Sequence, residues 1–375
     1  MRTILAAFLA VLPIGLVAPA VAEVAVERLE VETLGMPSSH WVIVNDVLGR
    51  SYVFDGDDGE MQGMLSGSRV TGAVETNPGR GEIYAMESFY DRGVRGKRAD
   101  VVTLYDHATL MPKGEVAIPQ KTATGVSIRG YTGLMDDGRF MGVYNLSPGM
   151  SVSIVDMHEA VFVEEISTAG CALVLPSGIR SFLQICGDGR LQQIVLDDDG
   201  REVERNRSRR FFDVQRDPVT DKPARTASGW LFVTFEGQVH PVTVSGNDVK
   251  IERSFSLVDD ADAEEGWRIG GHQSLAHHRD TGFAFALMHQ GGEGTHKDSG
   301  TEVWVVDINT QRRLQRIKLE EEAAGIQVTQ DAAPLLFAAV PQNRAVDVYE
   351  VRSGKRLRTI GETGLSPSLL QVFGE

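Results

Sequence analysis

Residues 50–65 read Arg-Ser-Tyr-Val-Phe-Asp-Gly-Asp-Asp-Gly-Glu-Met-Gln-Gly-Met-Leu. An alternating run ends at Asp55, a Gly/Asp cluster reverses the chain, and a second short run follows. This pattern predicts two antiparallel strands joined by a tight turn. The unit recurs as Val101–Asp106 with Gly114–Ile118, Val152–Asp156 with Phe162–Ile166, and Gln192–Leu196 with Glu202–Arg205. It continues as Val239–Val244 with Lys250–Phe255, Glu302–Asp307 with Arg313–Leu319, and Val346–Glu350 with Lys355–Ile360. There are seven copies.

Most copies are preceded by another strand pair. These are Ala73–Thr76 with Glu82–Met86, Gly133–Met135 with Phe140–Tyr144, and Cys171–Leu175 with Ser181–Cys186. Trp230–Phe235 stands alone, followed by Ser274–His277 with Phe283–Met288 and Ile326–Thr329 with Leu335–Ala339. Four strands per unit at a period of about 50 residues predict an all-β fold, a seven-bladed β-propeller of four-stranded antiparallel blades. Asp259–Trp267 and Leu319–Ala324 read as short acidic connectors. The first unit lacks its inner strand in the expected place. Either Leu369–Phe373 or Val26–Thr33 can supply it and close the ring, which removes exposed sheet edges.

Residues 1–22 read as an export signal. Arg2 is followed by an uncharged Ala/Leu/Val-rich stretch and then by Ala20-Val21-Ala22, a small-x-small cleavage pattern. Pro13 and Pro19 interrupt the stretch and argue against a membrane span. The expectation is cleavage after Ala22 and a periplasmic propeller domain over residues 23–375. The net charge of −15 lacks the cationic footprint of a nucleic-acid binder.

Two cysteines exclude a Cys₄ zinc site and a dense disulfide framework. A turn centred on Gly178-Ile179 pairs Ser177 with Arg180 and Pro176 with Ser181. The same register sets Cys171 opposite Cys186, within reach of a disulfide.

Catalytic motifs are scarce. No phosphate loop, dinucleotide fingerprint, zinc-protease helix or serine elbow is present. His272, His277, His278, His289 and His296 cluster in sequence, but His277 and His278 point to opposite faces of one strand, which argues against a shared metal. Arg201, Arg205, Arg207, Arg209 and Arg210 are interleaved with Glu202 and Glu204, as on a solvated outer strand. Trp41, Trp230 and Trp304 fall in strands and read as packing between blades.

Loop lengths carry more information. In a four-stranded blade, the second-to-third connection and the crossover to the next blade share a face. Ser88–Ala99 and His289–Gly300 are long second-to-third connections, and the crossovers Ser66–Gly72 and Asp259–His272 emerge beside them. That face is the candidate partner or channel surface, with Val70, Phe89, Tyr90, Arg98, Gly270, Gly271, His272, His296 and Lys297 as its candidate residues.

The same segments carry a family resemblance. Gly96-Lys97-Arg98-Ala99-Asp100-Val101-Val102, Ala169-Gly170-Cys171, Arg180-Ser181-Phe182 and Ile185-Cys186-Gly187-Asp188-Gly189 resemble the large subunit of quinoprotein amine dehydrogenases. Gly266-Trp267-Arg268 with Gly270-Gly271, His278-Arg279 and Glu293-Gly294-Thr295-His296-Lys297 extend the likeness over the whole mature chain. The Ile-Cys-Gly-Asp-Gly and Glu-Gly-Thr-His-Lys segments resemble the aromatic amine enzymes more closely than the methylamine ones.

The resemblance implies a non-catalytic large subunit paired with a small, cysteine-rich catalytic subunit, in a two-plus-two heterotetramer. Tryptophan tryptophylquinone would sit in that small subunit, not in this chain. The complex would oxidise primary amines to aldehyde and ammonia and pass electrons to a small copper protein or cytochrome. This chain would scaffold the small subunit and line the substrate channel. Family members place an aromatic residue in the first crossover, whereas Ser66-Gly67-Ser68-Arg69-Val70-Thr71 has none, with Val70 at the nearest position. A reading from another class is a free-standing periplasmic propeller acting as a binding scaffold or metal-dependent hydrolase.

Overall fold

Seven antiparallel sheets follow one another along the chain as the blades of a β-propeller. This computed structural model describes residues 33–68, 73–123 and 128–374. The export signal at residues 1–22, Val70, and the alternative closing strand Val26–Thr33 (all but Thr33) lie outside the described residues. Blades 1–4 and 7 have four strands, and blades 5 and 6 each carry a fifth short one.

The middle strands are buried on both faces. Trp41–Asp46, Phe140–Asn145 and Leu335–Val340 have every residue buried. Strict alternation fails there because each blade is sandwiched between two neighbours, so both pleat faces meet protein. Alternation returns in the outer strands, where Pro112–Ile118 buries only Val116 and Ile118.

Blade 1 is completed by Pro367–Val372, which pairs antiparallel with Trp41–Asp46. Of the two closing strands that the sequence left open, the C-terminal one occupies the inner position. Two glutamine side chains reinforce it. Gln371 donates to the Val74 carbonyl at 2.7 Å and accepts from the Val74 amide at 3.1 Å. Gln273 of blade 6 makes the same paired contact with Leu370, at 2.9 and 2.8 Å. Each amide imitates a peptide group, so it satisfies inner-strand N–H and C=O groups that lack a strand neighbour. Behind this seam, Val42, Val44 and Phe54 pack against Phe337, Val346 and Val348 of blade 7.

An ionic contact spans the same joint on the opposite face. His40 places Nδ1 2.7 Å from Asp57 and Nε2 3.0 Å from Asp331 of blade 7. Burial opposes the imidazolium charge, but the hydrogen bonds and charges of Asp57 and Asp331 outweigh it and raise the His40 pKa.

The structure corrects several details. Cys171 and Cys186 are disulfide-bonded and lie opposite each other. The register beside the turn is nevertheless one residue off the expected one, with Pro176 opposite Phe182 rather than Ser181. An irregularity between Ala172 and Leu175, where Leu173 has a φ of +71°, absorbs the extra residue and restores the cysteine pair. The first acidic connector contains a helix at Asp260–Glu264, capped reciprocally by Asp259 and Asp262. The second is no connector, because the outer strand Arg312–Ala323 runs through Leu319–Ala323. Blade 5 gains the inner strand Ala224–Thr226, and Trp267 lies in a strand, Trp267–Ile269, rather than in a loop.

Two outcomes follow from these contacts. A Cys171→Ser/Cys186→Ser variant is expected to lose roughly 3 kcal/mol of unfolding free energy in urea titration, the chain-entropy value for so short a loop. A raised His40 pKa contributes stability that is fully present below the unfolded value of 6.5 and fades as pH rises through the folded pKa. His40→Ala should therefore lower the melting temperature more at about pH 5.5 than at about pH 8.5. Equal losses at the two pH values would contradict that assignment.

Candidate partner and channel face

Strand polarity places all second-to-third connections and all blade crossovers on one face. In blade 2 the strands Glu82–Tyr90 and Arg98–Asp106 extend past the ring as a hairpin, pairing Tyr90 with Arg98. Only 91–97 of the expected Ser88–Ala99 loop is therefore loop. Asp91 holds the tip by accepting from the Lys97 amide at 3.0 Å. Phe89 is 45% exposed, whereas Arg98 turns inward. The Arg98 guanidinium forks onto buried Asp100 at 2.5 and 2.8 Å and reaches the Thr122 carbonyl at 3.0 Å. Ser88 and Thr122 complete the carboxylate's shell through their hydroxyls, each donating at 2.8 Å. Arg98 thus fixes the root of the hairpin to the crossover that enters blade 3.

At the centre of the face a cavity of about 550 Å³ opens between the inner ends of blades 1, 6 and 7 and the crossovers entering blades 3 and 5. His272 and Lys297 line it, as predicted residues brought together, alongside Arg129, Asp221 and Lys222. Burial lowers the His272 pKa, with Lys222 and Lys297 lowering it further. The same three causes lower that of His296, whose ring stacks on Phe235 of blade 5 at 3.6 Å.

Gly270 and Gly271 lead into His272 and are tightly enclosed. A Cβ on Gly270 would lie 2.5 Å from His289 Nδ1 and 2.6 Å from the Asp298 carbonyl. Gly271 adopts a φ of +89°, and a Cβ there would meet the Ala324 carbonyl at 2.7 Å.

The five clustered histidines serve separate places. His277 is buried, and burial brings its pKa down to about 4. His278 meets Thr281 and the Asp331 carbonyl, and His289 meets Thr295 at 2.8 Å. Among the described residues no group of three His, Cys, Asp or Glu side chains is arranged to hold a metal. Sequence reasoning missed Arg129, Asp221 and Lys222, because nothing in their local pattern signals that two distant crossovers meet at the axis. The Phe235–His296 stack was equally silent, being a contact between blades.

A shallow apolar groove of about 360 Å³ leaves the central mouth, sharing Ile128 and Asp221 with it. Tyr131, Tyr144, Leu146, Ile185 and Val214 line it beside Cys186. Exposed large apolar side chains are unevenly placed. Val47, Leu48, Phe89, Val94, Leu146, Met150 and Leu365 stand on this face, whereas the opposite face presents Met36, Met111 and Ile179, with Met61 and Val161 at the starts of outer strands there. On the connection face they gather in neighbouring connections, as on a recognition surface.

The methylamine dehydrogenase heavy chain (MADH) family matches residues 38–373, a span that runs through all seven blades. The chain belongs to that family. The heavy chain of Methylophilus methylotrophus is 28% identical over 324 residues, covering 86% of this chain and 79% of the relative. That of Paracoccus versutus is 25% identical over 343 residues, covering 89% and 79%. Among solved structures, the dihydro-heme d1 dehydrogenase NirN superposes with a TM-score of 0.58 at 16% identity, covering 92% of this chain and 78% of that one. Kuenenia stuttgartiensis hydrazine synthase gives 0.57 at 12%, covering 86% and 95%. At such identities the likeness shows the propeller fold alone. Heavy-chain membership makes this chain the large subunit of an amine dehydrogenase, an oxidoreductase.

The close packing at Gly271 yields a direct check. Gly271→Ala is expected to cost roughly 1–3 kcal/mol, since it adds a left-handed alanine to a steric clash. Thermal or urea unfolding measures it, and a neutral result would mean that the Ala324 backbone gives way.

Proposed function

We propose that the chain is the non-catalytic large subunit of a periplasmic amine dehydrogenase whose chemistry resides in a small, cysteine-rich partner. The observation that carries this reading is the family match across residues 38–373, since a heavy chain is one member of a pair. The partner's tryptophan tryptophylquinone would accept the electrons as a primary amine becomes aldehyde and ammonia. A small copper protein or cytochrome would then take them on. Two large and two small subunits would form the assembly, and residues 1–22 would direct export.

The chain's close tryptophan pair, Trp267 with Trp304, does not suit such a quinone. Trp267 and Trp304 approach to 5.3 Å between ring centroids, but both are buried. Their indole N–H groups donate to Glu265 and Glu302, and the Arg316 guanidinium lies over both rings. A quinone needs access for substrate; this pair packs blade 6 against its neighbour.

The central mouth supports a division of labour. Arg129, Lys222 and Lys297 outnumber Asp221 around it, which disfavours a protonated amine there. On this reading amines reach the partner's quinone along the boundary between subunits, with the chain's crossovers forming one wall. The resemblance of the Ile-Cys-Gly-Asp-Gly and Glu-Gly-Thr-His-Lys segments to the aromatic amine enzymes makes aromatic amines substrates to try beside methylamine.

Purified alone, the chain should show neither quinone absorbance nor amine-dependent dye reduction. Co-expression with a short, exported, cysteine-rich chain from a neighbouring reading frame should produce both. Amine oxidation by the isolated chain would refute the proposal. A stable monomer with chelator-sensitive esterase activity would favour the free-standing hydrolase instead.

A further inference from the structure

We propose that the small subunit docks on the sector of this face formed by blades 1–3, and that it meets the blade 2 hairpin tip with acidic side chains. The inference rests on the heavy-chain reading and gives it a location and a chemistry. The exposed apolar side chains of the face come from four places. They are the second-to-third connections of blades 1, 2 and 3 and, at Leu365, the crossover that enters blade 1. Among the described residues, the corresponding connections of blades 4–7 and the crossovers between them carry no large apolar side chain of comparable exposure. Burial of such a crescent is favourable at about 25 cal/mol per Å², and leaving it in water invites aggregation.

Two backbone contacts tie neighbouring parts of the crescent together. Val47 donates its amide to the Ser366 carbonyl, which joins the blade 1 connection to the last crossover. Leu146 donates to the Lys121 carbonyl, one residue from the Thr122 that Arg98 grips at the root of the hairpin. Val47 lines the central mouth and Leu146 the apolar groove, so the sector borders both concavities.

Charge adds the second half of the proposal. The tip reads Asp91-Arg92-Gly93-Val94-Arg95-Gly96-Lys97, three cations in a chain of net charge −15. Its single acid is occupied in holding the tip together, and Arg92 is 73% exposed. Exposed Phe89 and Val94 flank these cations, the mixture of apolar centre and charged rim that protein interfaces show. A complementary partner presents carboxylates there.

The test uses the full chain, affinity-tagged and co-expressed with the small subunit. Co-purified small subunit is the readout, and melting temperature checks the fold. The variant Leu48→Asp/Phe89→Asp/Leu146→Asp should reduce capture roughly tenfold or more. The opposite-face control Met111→Asp/Ile179→Asp should leave it unchanged. Arg92→Glu/Arg95→Glu/Lys97→Glu should weaken capture at about 50 mM salt, and the wild type alone should lose affinity as salt rises toward 500 mM.

Capture by the wild type that survives the apolar triple variant overturns the sector while leaving the heavy-chain reading intact. Equal loss in the control overturns it too. Failure of the wild type to capture any small subunit removes the heavy-chain reading and this proposal together. Should the apolar triple variant melt early, the charge-reversal variant and Leu146→Asp alone decide by the same readout.

Discussion

Pairing of Val42 with Val372 and of Val44 with Leu370 joins the two ends of the described chain in one sheet. Each blade buries its middle strands against two neighbours, so an open ring would leave blades 1 and 7 with an apolar face in water. The seam therefore has to be specified more firmly than any single blade. Gln371 and Gln273 do this by extending peptide-like hydrogen bonding from blade to blade around the axis. His40, between Asp57 and Asp331, adds an ionic contact at the far rim.

A ring closed in this way leaves its connections free to vary. The face that carries the second-to-third connections shows the result: a hairpin rooted by Arg98 and Asp100, a mouth lined by His272 and Lys297, and a groove beside the disulfide. The histidines that invite a catalytic reading are dispersed into packing, stacking and turn contacts. What the face offers instead is shape, apolar area and a patch of positive charge, the attributes of a surface that receives another protein.

Much of this was legible in the sequence because a propeller repeats. Seven strand-turn-strand units, each punctuated by Gly and Asp, reveal the blade count without any tertiary information. The period also indicates which loops share a face, among them those that carry Phe89, His272 and Lys297. Details that depend on contacts between distant segments were not legible. The cysteine pair emerged from a register that is locally wrong, because an irregularity at Leu173 offsets a longer turn. Leu319–Ala323 looked like a connector because an outer strand facing solvent tolerates consecutive glutamates. Arg129 and Lys222 meet at the axis only once the ring has closed, and no local pattern announces that.

The seam also sets the order of events during synthesis. Asn45 and Leu369, neighbours in blade 1, are 324 positions apart. A nascent chain must therefore carry blade 1 with one strand missing until nearly every other blade has been made. Contacts of such long range form slowly, and the waiting strand Trp41–Asp46 is an unpaired apolar edge. The ribosome thus delivers the protein as an unfinished circle, and its most hazardous interval is the wait for the last strand.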